Sequence, residues 1–179
     1  MKLSKLSPKN IYLCFIFIFN LFFGINPVIS DTATINVSGK ILPSICEVSP
    51  FPVVQLGNIR DIDMSQIGDT SQPTFFSLTI SGCPKTVSTV SADFIGPPDL
   101  SDSSLYQVTP GDGSADGLAI RLINKNDGDS TILPGETIQT NISGDNTALF
   151  QLAAQAVRVN RNLVAGIIDV SVTITFTYQ

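Results

Sequence analysis

The sequence contains no histidine. That absence excludes Ser-His-Asp and Cys-His catalysis and removes the commonest zinc and copper ligand. Basic charge is scarce as well. Lys2, Lys5 and Lys9 belong to the first nine residues, and beyond them seven basic residues face fifteen acidic ones, a net charge of −8. An acidic chain without a basic cluster excludes nucleic acid and anionic membrane as partners. A phosphate-cradling loop is also missing, because the run GDGSADG at residues 111–117 lacks a Lys-Ser/Thr ending and a following helix. The same run carries Asp112, Ser114, Asp116 and Gly117 in the order of a calcium loop. The place of the bidentate Glu is taken by Ile123, so the run reads as a plain loop. Asp61 and Asp63 read as solvated carboxylates rather than a glycosidase pair. Nothing supports enzymatic activity, and no cofactor or metal is expected.

Cysteine is the next scarcity. Of three, Cys14 lies inside an almost wholly apolar run at residues 11–25, preceded by the three lysines and followed by Pro27 and Ser30. This is the pattern of a secretory signal peptide over residues 1–30. Asn20, Gly24 and Pro27 interrupt the run before it serves as a membrane anchor, and no membrane insertion of the mature chain is expected. Export leaves 149 residues from Asp31, one domain's worth, with two cysteines, Cys46 and Cys83. In an exported chain two cysteines default to one disulfide, against the alternatives of two buried thiols or a metal site.

What is abundant is period-two alternation. From Ile168 to Tyr178 the even positions Ile168, Val170, Val172, Ile174, Phe176 and Tyr178 are apolar or aromatic, and the odd ones are polar to Gln179. This predicts a half-buried strand. Since the sequence ends with it, whatever lies beside it is expected from earlier in the chain or from another molecule. Residues 32–42 alternate too, with Ala33, Ile35, Val37, Gly39 and Ile41 on one face. Further strands are predicted at residues 51–56, 75–80, 87–94, 105–108, 118–123 and 131–133, with turn residues between them. Residues 148–158 fit a helical face or a strand, and the all-β setting favours the strand. The two clean terminal strands leave two readings open. Either they pair with each other in one closed sandwich, or the N-terminal one completes another molecule's sheet.

Five runs in order resemble chaperone–usher pilus subunits, most closely the small minor subunits of type 1-like fimbriae. They are TINVSGKI at 34–41 followed by Cys46, FSLTISGCP at 76–84, GLAIRLIN at 117–124, FQLAAQA at 150–156, and ITFTYQ at 174–179 with its penultimate Tyr178. The resemblance covers residues 31–179. It implies an immunoglobulin-like sandwich lacking its last strand, with residues 31–42 as a donor-strand extension and 43–179 as the pilin domain. Ala33, Ile35, Val37, Gly39 and Ile41 would then fill a neighbour's groove. Val170, Val172, Ile174, Phe176, Tyr178 and Gln179 would form the strand that borders this chain's own groove and meets the chaperone. Implied partners are a periplasmic pilus chaperone, an outer-membrane usher and neighbouring pilus subunits, with export through the periplasm to a surface fimbrium. A minor adaptor is slightly favoured over a rod subunit. The alternative is a lectin-like adhesin binding a host glycan.

Overall fold

The described residues form nine strands, in the order β1 (Glu47–Val48), β2 (Thr74–Ser81), β3 (Thr89–Ile95), β4 (Tyr106–Gln107), β5 (Leu118–Asn124), β6 (Ser130–Ile132), β7 (Glu136–Asn141), β8 (Ala148–Arg158) and β9 (Thr173–Tyr178). The computed structural model describes Ser38, residues 46–51 and residues 53–179. Every ladder is antiparallel. One sheet runs β1-β2-β8-β5, with β4 and β6 sharing the far edge of β5. The other runs β7-β3-β9.

The register explains the core. Phe76, Leu78 and Ile80 of β2 share a face with Phe150, Leu152 and Ala154 of β8 and with Ile120 and Leu122 of β5. Val90, Ala92 and Phe94 of β3 align with Tyr178, Phe176 and Ile174 of β9. These inner faces make one apolar cluster, in which Ile80, Val90, Phe94, Phe150 and Leu152 are essentially inaccessible. Each such side chain contributes about 1.5–3 kcal/mol by burial. The arrangement is an immunoglobulin-like sandwich. Its second sheet has three strands, and β9 has no ladder partner on its outer side among the described residues.

The structure corrects the expectation at residues 51–56, whose described members, 51 and 53–56, enter no ladder. Pro50 and Pro52 remove two amide donors there, which disfavours regular pairing. Just before this stretch, the Ser49 amide donates to the Thr79 carbonyl at 3.0 Å, continuing the β1–β2 pairing by one residue. Strands β1 and β7 arise where none was expected. β7 is an edge strand with only Ile138 buried, so its sequence shows little hydrophobic period. Residues 148–158 are one long strand. Its first half alternates in burial, while residues 152–157 are buried on both faces. On the outer face Val157 packs against Leu105 and Ala119, which is why two-residue periodicity blurs there.

Candidate strand-accepting cleft

The apolar face of the terminal strand is only half covered. Burial alternates from Ile168 to Tyr178 as the sequence predicts, yet the ladder to β3 begins only at Thr173. Upstream of it, residues 163–172 form one wall of a cleft of about 880 Å³. Val170 and Val172 project into it, together with Leu163 and Ile168. The opposite wall is residues 53–61, with Val54, Leu56 and Ile59 half-buried against the core. The floor is the inner face of the first sheet, where Phe76, Leu118, Ile120, Leu122 and Ala154 are reached between the walls.

The 163–172 wall hangs on the loop before β5. The Ala115 amide donates to the Ile167 carbonyl at 2.9 Å, Ile167 to Gly113 at 2.8 Å, and Thr109 to Asp169 at 2.7 Å. Asp116 and Val164 exchange amide–carbonyl bonds at 3.1 and 3.0 Å. The calcium-like run is therefore committed to holding this wall. Its Ser114 hydroxyl donates to the Thr109 carbonyl, and the Asp116 carboxylate accepts from the Gly117 amide. Among the described residues no cluster of three or more His, Cys, Asp or Glu could hold a metal.

At one end of β9 the two sides touch. Phe51, 53% exposed, stacks on Phe176 with ring centroids 6.2 Å apart and planes 6° from parallel. Phe176 also meets Phe150 of the floor at 6.1 Å. The end near β8 is polar instead. There the Arg158 guanidinium donates from Nη1 to the carbonyls of Met64 (2.6 Å) and Ser65 (2.9 Å), and from Nε to Asn160 (2.9 Å). Its Nη2 donates to the Arg161 carbonyl.

Charge near the cleft is modest. Arg60 and Asp63 form a bidentate surface pair at 2.8 Å, and the hydrogen bond from Arg60 holds the Asp63 carboxyl below its usual range. Being exposed, the pair adds little stability. Away from the cleft, Tyr106 is fully buried and donates its hydroxyl to the Leu133 carbonyl at 2.9 Å, and burial raises its phenol far above the ordinary value.

Of the residues singled out from sequence, Cys46 and Cys83 form the expected disulfide. Val170 and Val172 line the cleft, and Ile174, Phe176 and Tyr178 pack half-buried beside β3. Gln179 lies just past β9, where its carbonyl accepts from the Ser88 and Thr89 amides at 2.6 and 3.0 Å. Ala33, Ile35, Val37, Gly39 and Ile41 lie outside the described residues. Sequence reasoning missed the floor residues and the 53–61 wall. Alternation in β5 and β8 marks their apolar faces, but not that part of those faces is left uncovered.

The profile of the family described as fimbrial protein matches residues 35–179. The chain is 31% identical over 145 residues to the S-fimbrial adhesin protein SfaS of Escherichia coli O6:K15:H31, covering 81% of this chain and 84% of that protein. It is 30% identical over 149 residues to the protein FimG of Escherichia coli K12, covering 82% and 84%. Among solved structures, the P pilus rod subunit PapA superposes with a TM-score of 0.61 at 18% identity, over 75% of this chain and 99% of that one.

Proposed function

The chain belongs to the fimbrial protein family, and from that premise we propose that its cleft accepts a donor strand from a neighbouring subunit. It is a structural subunit of a chaperone–usher pilus, exported to the cell-surface fimbrium, and not an enzyme. In the proposed cycle a periplasmic chaperone first covers the free side of β9 and the cleft. At the outer-membrane usher the extension of the next subunit replaces it. This chain's own residues 31–42 then serve a neighbour, with Ala33, Ile35, Val37, Gly39 and Ile41 as the inserted side chains.

The observation that carries this reading is the conjunction of an apolar cleft and a strand edge with no ladder partner among the described residues. An open apolar edge promotes aggregation or strand capture. Residues 33–41 span about 30 Å when extended, enough to run the length of such a face. A minor adaptor position is supported by the TINVSGKI opening, which resembles adaptors more than rod subunits. Labelling of intact fimbriae for this chain distinguishes the positions: a few copies near the tip fit an adaptor, and copies along the shaft fit a rod subunit.

The exchange itself is tested by expression. Without residues 31–42 and without a chaperone, the exported chain should aggregate. Fusing residues 34–41 after Gln179 should return a soluble monomer. A full mature chain that purifies as a stable, cooperatively unfolding monomer, without chaperone or polymer, overturns the reading. The likeness to a protein named an adhesin favours one other role, glycan binding. Retention of the fused monomer on a glycan array would support it.

A further inference from the structure

We propose that Arg158 is a positioning residue that fixes the separation of the two cleft walls at one end, and so decides how tightly the strand residue held there is gripped. This rests on the reading of the cleft as a strand acceptor. The main chain of Arg158 is already secured. Its amide donates to the Asp69 carbonyl at 2.9 Å, its carbonyl accepts from Gly68 at 2.8 Å, and it stands opposite Leu118 in the β5–β8 ladder. The guanidinium is therefore not needed to hold β8 in place.

Its partners lie on two separate segments. Met64 and Ser65 stand three and four residues beyond Asp61, the end of the 53–61 wall, and Met64, fully buried, itself lines the cleft. Asn160 and Arg161 stand three and two residues before Leu163, the first cleft residue of the opposite wall. One planar group thus ties the root of each wall to the other. All four acceptors are carbonyls, and neither ion pair among the described residues involves Arg158. The geometry requires a rigid fork with donors pointing two ways, which a lysine's single ammonium does not provide.

A residue that sets one end of a cleft should couple to one end of the strand inside it. The test uses the full chain, assembled into polymers, with dissociation of the subunit junctions in denaturant as the readout. Arg158→Gln is combined in turn with Ile35→Ala and with Ile41→Ala in the extension. R158Q alone should shorten junction lifetime about tenfold or more, as expected for losing charge-assisted hydrogen bonds. One of the two extension deletions should then cost at least about threefold less in R158Q than in the parent, while the other costs the same in both. R158K should behave like R158Q, because it keeps the charge and loses the fork.

Equal costs of both deletions in all backgrounds overturn the positioning role. If neither deletion affects the parent polymer, the strand-acceptor reading itself falls, which is a distinguishable result. A chain that fails to fold with either Gln or Lys assigns Arg158 to the fold at large and also overturns the proposal.

Discussion

Gly117 shows how much of the cleft depends on a single residue without a side chain. Its φ is +81°, a conformation other residues reach only with strain, and a Cβ there would run into the Asn162 carbonyl. The close approach lets the 160–163 turn lie against the loop before β5. The Gly117 carbonyl accepts from the Val159 amide at 2.9 Å, and the following turn delivers Leu163 into the cleft wall. Gly117→Ala is expected to lower stability by about 2–3 kcal/mol, combining backbone strain with displacement of the turn. The denaturant midpoint of the strand-fused monomer measures this. A shift below about 0.5 kcal/mol, the range of neutral surface changes, would show that the turn yields freely.

Among elements, the extension and the last strand are a matched pair in pattern. Gly39 is the one position without a side chain on the alternating face of residues 33–41. A glycine weakens a strand unless something must pass close to it. Gly39→Val should therefore block polymer growth while leaving the subunit's own fold and chaperone binding intact. Fimbriae of normal length from the variant refute that role. The same period of two explains what was legible beforehand. β9 and β2 each have one wetter and one drier face, so their sequences announce them. β8 did not, because residues 152–157 are buried on both sides, and an alanine-rich, doubly buried strand mimics a helix in sequence. β7 was invisible for the opposite reason, having one buried apolar residue among Glu, Thr, Gln and Asn. Residues 51–56 misled because apolar content alone does not supply amide donors where prolines stand. The cleft was legible as a strand edge and illegible as a volume. Its floor belongs to strands that look complete in sequence, and only tertiary arrangement leaves them uncovered.

For the molecule as a whole, the Cys46–Cys83 bond is the one covalent constraint among the described residues beyond the backbone itself, joining positions 37 apart in sequence. Reducing it should cost about 4 kcal/mol in the chain-entropy picture, seen as a lower denaturant midpoint with reductant than without. The bond has a second, mechanical consequence. In the proposed strand-exchanged polymer, pulled along its length, tension entering a subunit ahead of Cys46 would pass through the sulfur bridge directly to Cys83, skipping everything between. The bypassed span includes the 53–61 wall and all of β2, so that segment cannot be drawn out by the pull even if later strands give way. Stretched singly, a subunit should lengthen on full rupture by roughly 120 Å more after reduction than before, the contour of the sheltered segment. A filament of such units would reach its full extension that much sooner in every subunit, for the sake of two cysteines.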